Sequence, residues 1–155
     1  MKIADNLDIH PKAGTNQHLP TMQLNRAWYN STASSPTWIH IKTNIPKHSG
    51  IMYNIMAEGY NYGTAKAIDC SWCGYTYGGW GDSINNRFMR TYTPGGLDAQ
   101  NQYYSSDNYV VLTANAASFY YIGFVMHAYF SQGSMPSGGF RVLDWSRQST
   151  GTVRI

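Results

Sequence analysis

Residues 118–130 read SFYYIGFVMHAYF and form the longest apolar-rich run in the chain. If this run is a β-strand, successive side chains point to opposite faces of a sheet. The first face holds Phe119, Tyr121, Gly123, Val125, His127 and Tyr129, and the second holds Tyr120, Ile122, Phe124, Met126, Ala128 and Phe130. An antiparallel sheet usually keeps one face wet, whereas both of these faces are largely apolar. We therefore expect a sandwich core on one side and a neighbouring subunit on the other, unless the N-terminal segment folds over the second face.

The rest of the chain also favours strands. No segment keeps an apolar 3.6-residue period over three turns, and glycine or proline interrupts it often. The predicted strands are 37–43, 51–60, 66–77, 84–92, 108–114, 118–130, 139–145 and 151–155. Short connections rich in Gly, Asn, Ser, Asp and Pro separate them, which is typical of an all-β antiparallel sandwich or a jelly-roll-like fold.

The first 36 residues differ from the rest, because they contain scattered prolines and show little periodicity. We predict an extended N-terminal arm or fibre-end segment over 1–36 and a β-sandwich head domain over 37–155. Within the arm, residues 26–29 (RAWY) are expected to dock on the body, and residues 31–36 (STASSP) to form a linker.

The composition points to a wet but uncharged surface. Hydrophobic residues make up 43% of the 155 residues and charged residues only 12%, about half the usual share. The 13 tyrosines and 15 glycines, with Ser, Thr, Asn and Gln, supply the polar cover, as in many binding surfaces. The net charge of +3 is scattered, so nucleic-acid binding is not expected. No apolar run approaches a membrane span, and residues 1–12 show no secretory signal pattern.

Metal and cofactor chemistry are not expected from the cysteines and histidines. Cys70 and Cys73 are three residues apart in a predicted strand, so their thiols point to opposite faces and we expect two half-buried free thiols. No histidine pair supplies the remaining ligands of a zinc site. One alternative stays open, since His127 on the axis of a trimer could offer three imidazoles to a metal. A buried neutral His127, hydrogen-bonded to a backbone carbonyl or a Tyr hydroxyl, is favoured.

Enzymatic chemistry finds little support in the sequence, so no catalytic residue is predicted. Glycoside hydrolysis needs two carboxylates at a defined separation, and Glu58 and Asp69 lie on strands that could pair. The alternative is that both are solvated residues of a polar strand face. There is no Gly-x-Ser-x-Gly elbow and no phosphate-binding loop, and nothing selects a pairing of either cysteine with His127.

Aromatic loops carry the binding prediction, because tyrosine and tryptophan join an apolar body to a polar tip. The densest such loop is 75–83 (YTYGGWGDS), in which the glycines leave Trp80 free to project. Two further loops are 93–104 (TPGGLDAQNQYY) and 131–139 (SQGSMPSGG). The predicted ligand-binding residues are Tyr75, Tyr77, Trp80, Asp82, Tyr103 and Tyr104. An equally weighted alternative is that Trp80 caps the sandwich or packs between subunits.

Four further segments, taken as a set, combine strand-forming residues with tyrosine and glycine: 40–46 (HIKTNIP), 52–60 (MYNIMAEGY), 68–75 (IDCSWCGY) and 103–112 (YYSSDNYVVL). Together with the aromatic strand 119–130, they resemble the head domains of phage tail fibres. The resemblance covers about residues 37–130 and implies a homotrimeric β-structured knob at a fibre tip that binds a host-surface glycan or receptor protein. It implies a place on the virion among other virion proteins, and it carries no catalytic set. Since residues 1–12 show no secretory signal pattern, assembly into a virion that is released by lysis is one route out of the cell. The alternatives are a structural virion protein (capsid decoration or fibre assembly) and a carbohydrate-binding module.

Overall fold

The computed structural model describes residues 7–9, 21–31, 33–79, 81–131, 134–152 and 154–155. Ten strands lie in these residues, together with a short 3-10 helix at Tyr62–Thr64. The strands are β1 (Leu7–Ile9), β2 (Thr21–Asn30), β3 (Trp38–Pro46), β4 (Met52–Asn61), β5 (Lys66–Tyr75), β6 (Asn85–Thr91), β7 (Asp98–Tyr104), β8 (Tyr109–Asn115), β9 (Ile122–Phe130) and β10 (Val142–Gln148).

These strands form two sheets, and every strand pair in them is antiparallel. The larger sheet has the order β1-β2-β9-β4-β5-β6, and the smaller has the order β10-β3-β8-β7. The prediction of an all-β antiparallel sandwich is therefore confirmed. Within the described residues, no helix is long and apolar enough to cross a lipid bilayer.

The core lies between the sheets and follows the two-residue period of the strands. In β9, side chains at alternate positions are buried from Ile122 to Phe130, while those between them are half-buried or exposed. Strand β5 contributes Trp72, which is fully buried and donates its indole N–H to the Thr113 carbonyl of the facing sheet at 3.1 Å. The alternation of side chains between the two faces of a strand thus determines which face is buried in the core.

The aromatic run differs from its prediction at its beginning. Residues 118–121 are not part of a strand, since a turn lies at residues 120–121 and β9 begins only at Ile122. Phe119 is fully buried beneath the guanidinium of Arg147, whose centre lies 5.0 Å from the ring centroid. Phe119 therefore belongs to the core, and its predicted place on the same strand face as Val125 was wrong.

The outer face of β9 remains partly open in a single chain. Val125 and Tyr129 each keep 36% of their surface exposed. Strand β2 does not fold over this face, because it pairs edge to edge with β9 and extends the sheet. Thr21–Asn30, within the predicted arm, is thus a strand of the larger sheet, while the boundary at residue 36 stays a prediction.

The C-terminal residues cover the outer face of the smaller sheet. His40 is fully buried there, and its Nε2–H donates to the Thr150 carbonyl at 3.2 Å. Its Nδ1 accepts the Tyr103 hydroxyl at 2.8 Å, and that oxygen accepts the Ile155 amide at 3.1 Å. The described residues of 151–155 form no strand, so that strand prediction was wrong.

Polar and aromatic contacts close the two open sides of the sandwich. On one side, Gln102 of β7 is fully buried and bridges to β4, β5 and β6. On the other side, the Trp28 and Trp145 rings stack with centroids 6.3 Å apart. The strand ends are therefore held on a scaffold that is fixed from both sides, as is typical of β-folds that carry binding loops.

Candidate ligand-binding groove

An open groove lined by five tyrosines lies at one end of the sandwich. Its volume is about 560 Å³. The lining residues, together called the tyrosine groove, are Tyr29, Tyr60, Tyr62, Tyr120 and Tyr121. Between 42% and 61% of each residue is exposed, although large aromatics usually lose most of their surface on folding. Such a concentration of exposed rings at one place is the strongest binding feature of the described residues.

The groove is assembled from three separate parts of the chain. Tyr29 lies near the end of β2, Tyr60 and Tyr62 lie where β4 passes into the 3-10 helix, and Tyr120 and Tyr121 precede β9. Hydrogen bonds join the backbone of the 3-10 helix to that of the turn before β9, since the Tyr62 amide donates to the Tyr121 carbonyl at 3.1 Å. The Gly63 amide donates likewise to the Tyr120 carbonyl at 2.9 Å. Since strand ends and backbone hydrogen bonds fix these turns, the groove is preformed.

Two backbone positions make room for the rings. Gly123 lies beneath Tyr29, where a Cβ atom would come 3.2 Å from the Tyr29 Cδ2 atom. Tyr121 adopts a φ of 49°, in the left-handed region that non-glycine residues visit rarely and that is often found at functional sites. The local backbone is therefore shaped to hold the rings side by side.

Two asparagines hold together the backbone segments that carry the groove tyrosines. Asn61 is fully buried, and its Nδ2 donates to the carbonyls of Gly96 and Ser118, both at 2.8 Å. Asn30 donates from Nδ2 to the Phe119 carbonyl at 2.6 Å. These side chains connect β2 and β4 to the loop before β9, so the three parts of the groove cannot separate without losing shielded hydrogen bonds.

The tyrosine rings meet at steep angles. The Tyr121 ring makes angles of 66° with Tyr29, 74° with Tyr62 and 89° with Tyr120, at centroid distances of 6.5, 6.0 and 4.6 Å. Tyr62 and Tyr120 are also in contact, at 6.3 Å and 56°. The groove is therefore walled by rings that face different directions, and it is not a flat platform.

The residues predicted from the loops lie at the opposite end of the sandwich. Tyr75 and Tyr77 stack with centroids 5.4 Å apart and planes 27° apart. Tyr77 is exposed, whereas Tyr75 is half-buried and lines a cavity of about 390 Å³ with Asn85 and Asn86. Trp80 lies outside the described residues.

Two more of the predicted residues share a third cavity of about 280 Å³. Asp82 and Tyr104 line it, together with Lys47 and Arg154. The Lys47 ammonium is hydrogen-bonded to the Asp82 carboxylate, and this contact lowers the pKa of Asp82. Lys47 also lies over the Tyr104 ring, 5.6 Å from its centroid.

Tyr103 has a different environment from the other predicted residues. It is 8% exposed, beneath the C-terminal residues, with its hydroxyl hydrogen-bonded to His40. Burial raises the pKa of this hydroxyl. Four of the predicted residues thus lie at one end of the sandwich in two separate groups, Tyr75 with Tyr77 and Asp82 with Tyr104. Tyr103 lies beneath the C-terminal residues, and the binding role of the set stays a prediction.

Sequence reasoning did not single out the tyrosine groove, although two signals pointed to it. Residues 59–63 read GYNYG, which places two tyrosines next to a chain reversal, and Tyr120 and Tyr121 stand together at the start of the aromatic run. The run was predicted to be a strand throughout, and this interpretation hid the turn that exposes both rings.

The two cysteines are free thiols on opposite faces of β5, as predicted. Cys73 is half-buried as expected, whereas Cys70 is fully buried, so its predicted partial exposure was wrong. Burial raises the pKa of Cys70 to about 12 and also raises that of Cys73. Neither thiol is therefore activated as a nucleophile.

The acidic pair lies on the open outer face of the larger sheet. Glu58 stands directly opposite Asp69 in the β4–β5 ladder, so the predicted proximity of the two is confirmed. His127 lies on the other side, half-buried, with Nε2 3.2 Å from the Glu58 carboxylate. Its predicted burial, with a hydrogen bond to a backbone carbonyl or a Tyr hydroxyl, was therefore wrong. Among the described residues, no group of three or more histidine, cysteine or acidic side chains is arranged to hold a metal.

Comparisons with known proteins give no relative for this arrangement: no protein-family model matches the chain, and neither a curated protein nor a solved structure matches it.

Proposed function

We propose that this chain is a non-enzymatic receptor-binding head at the tip of a phage or viral fibre, attaching to a host-surface glycan or protein through the tyrosine groove. The observation that carries the proposal is the set of five exposed tyrosines around one preformed groove of about 560 Å³. Large aromatic side chains left exposed on a rigid scaffold are typical of recognition sites, because they offer contact area at low entropic cost.

The scaffold supports recognition more than catalysis. The groove lies on strand ends held by hydrogen bonds from Asn30 and Asn61, so little ordering is needed on binding. The acidic pair of Glu58 and Asp69 lies instead on a sheet face, with 62% of the Glu58 side chain exposed. General acid catalysis on a glycan works best with a carboxyl group shielded from water, which this position does not provide.

Assembly as a homotrimer with a jelly-roll-like head is part of the same proposal. The outer face of β9 leaves Val125 and Tyr129 partly exposed, and a neighbouring copy would cover them. Light scattering gives the solution mass. Val125→Arg is expected to dissociate the trimer, whereas Leu143→Arg, at an exposed position of β10 in the other sheet, leaves it intact. A wild-type monomer would remove this part of the proposal.

Binding is tested with a glycan array that includes envelope polysaccharides. The double variant Tyr62→Ala/Tyr120→Ala is expected to lose at least about tenfold in affinity, since truncated aromatic anchors cost about 1–2 kcal/mol each. Tyr77→Ala is the matched control, because Tyr77 is an exposed tyrosine at the other end of the sandwich. Equal losses in both variants, or none in the double variant, would reject the groove as the recognition site.

A structural virion protein is the second candidate, favoured by the same partly open face of β9. If the chain serves assembly alone, Val125→Arg prevents incorporation into particles while the tyrosine-groove variants behave like wild type. If it serves recognition, the groove variants assemble normally but fail to attach. A carbohydrate-binding module would behave as a stable monomer that still binds the array.

A further inference from the structure

The chemistry of the tyrosine groove restricts the class of its ligand more closely than the proposed function alone. Any ligand assigned to the groove rests on that proposed function. Every described residue that lines it is a tyrosine. This lining therefore offers ring faces and phenol hydroxyls, and within the described part of the chain it presents no carboxylate, carboxamide or guanidinium. Sites that read several sugar hydroxyls generally place such polar groups among their aromatic walls.

The ring arrangement favours a cation. The face of an aromatic ring is negative and its edge is positive. Tyr62 and Tyr121 stand 74° apart with centroids 6.0 Å from each other, and Tyr29 and Tyr121 stand 66° apart at 6.5 Å. A small cation seated in the angle between two such rings lies within about 6 Å of both centroids, the range over which a ring face attracts a positive charge.

We infer that the tyrosine groove holds a trimethylammonium group, as in a choline substituent carried on a host-surface polysaccharide. Such a group has no N–H, so a lining of tyrosines without carboxylate or amide acceptors leaves no donor of the ligand unpaired. Its methyl groups contact the ring faces, and its charge is attracted by them. The groove lies across turns whose backbone amides at Tyr62 and Gly63 are already hydrogen-bonded, so it offers little to an extended peptide strand.

The charge requirement is tested with two ligands of the same shape. Choline is titrated beside 3,3-dimethylbutan-1-ol, in which a neutral carbon replaces the nitrogen, and the tyrosine ring resonances are followed by NMR. Choline is expected to bind at least about tenfold more tightly, because a desolvated cation–π contact is worth about that factor. Equal binding of the two, or no shift of the groove tyrosines with choline, overturns the inference.

The ring requirement is tested with Tyr62→Leu and Tyr62→Phe. The leucine variant is expected to weaken choline binding about tenfold, and the phenylalanine variant to stay within about threefold, because phenylalanine keeps the ring face and loses only the hydroxyl. Tyr120→Leu repeats the test at a residue of the neighbouring turn if Tyr62→Leu lowers the melting temperature. If Tyr62→Phe weakens choline binding as much as Tyr62→Leu does, the hydroxyl carries the recognition and the inference of a cation in the groove is rejected.

The inference and the proposed function fail in different ways. If the array shows groove-dependent binding of a polysaccharide without choline, and choline itself does not bind, only the trimethylammonium inference is lost. If groove variants bind every array ligand like wild type, the proposed function is lost as well. A trimethyl-lysine peptide that binds more tightly than a phosphocholine-bearing saccharide would overturn the assignment to a polysaccharide.

Discussion

Replacing Gln102 with leucine is expected to be among the most damaging single changes to the scaffold. The side chain is fully buried and makes four hydrogen bonds across the sandwich, three of them to oxygen atoms and one to the Met89 sulfur. Its Oε1 accepts the Tyr53 hydroxyl at 2.6 Å, and its Nε2 donates to the carbonyls of Cys73 at 2.6 Å and Phe88 at 3.2 Å. Leucine fills nearly the same volume, so loss of packing is minor and the polar groups dominate the effect.

The magnitude depends on the groups left behind. The Tyr53 hydroxyl, in a residue that is itself 4% exposed, loses its acceptor, and two carbonyls lose a donor. Each buried polar group without a partner costs about 1–3 kcal/mol, and the two carbonyls share one amide, so the expected loss is about 3–5 kcal/mol. That is a large part of the stability of a typical domain, about 5–15 kcal/mol.

The assay is urea denaturation of the single variants and the double variant with Tyr53→Phe. Tyr53→Phe alone is expected to cost about 1–2 kcal/mol, since it leaves the Gln102 carbonyl oxygen without its donor. In the Gln102→Leu variant, Tyr53→Phe removes a hydroxyl that has already lost its acceptor. The double variant should therefore be more stable than Gln102→Leu alone. Additive effects, with a coupling energy under about 0.5 kcal/mol, would refute the network.

Three further predictions concern the scaffold. Tyr104→Phe is expected to stabilise the protein by about 1 kcal/mol in thermal unfolding, because the buried Tyr104 hydroxyl has no hydrogen-bond partner among the described residues; a loss of stability would contradict this. Burial of His40 lowers its pKa below 6.5, so the unfolded chain takes up the proton first. Its contribution to stability is therefore complete above pH 6.5 and is lost as the pH falls below that value. The melting temperature of the wild type should fall over this pH range, and that of His40→Gln should lack this part of the pH dependence. Gly59→Ala would place a Cβ atom 2.1 Å from the Gly123 carbonyl oxygen and is expected to cost about 3 kcal/mol or more; Gly78→Ala, whose nearest contact is 3.6 Å, should change stability by under about 0.5 kcal/mol.

Most strands could be predicted from sequence, but not all. Strands β4, β5 and β9 were expected near their observed positions because they lie in runs rich in apolar and aromatic residues that are bounded by turn residues. Strand β7 (DAQNQYY) was assigned to a loop, since its buried residues include Gln102, a polar side chain that only its long-range partners make tolerable. Strand β2 shifts register between Leu24 and Arg26, and this irregularity breaks its two-residue period.

The strand predicted at the C-terminus failed for a related reason. The sequence GTVRI (151–155) alternates like a strand. However, the carbonyl of Thr150, just before it, accepts from the His40 side chain, and the amide of Ile155 donates to the Tyr103 hydroxyl. A local pattern predicts an extended backbone and does not say whether the partner is a strand or a sheet face.

The tyrosine groove depends on contacts between residues far apart in the chain, which a local sequence pattern does not contain. Tyr29, Tyr62 and Tyr121 come from segments more than about 30 residues apart, and only the pairing of β2 and β4 with β9 brings them together. An aromatic surface in loops was expected from the sequence, but the loop chosen for it lies at the opposite end of the sandwich from the tyrosine groove.

The most direct test of the tyrosine groove uses the 13 tyrosines as reporters. Tyrosine ring resonances are assigned in a ring-labelled protein, which is then titrated with the glycan that the array identifies. We predict that Tyr29, Tyr60, Tyr62, Tyr120 and Tyr121 shift together with a single dissociation constant. Shifts confined to Tyr75, Tyr77 and Tyr104, with the groove tyrosines unchanged, would contradict this and place recognition at the other end of the sandwich.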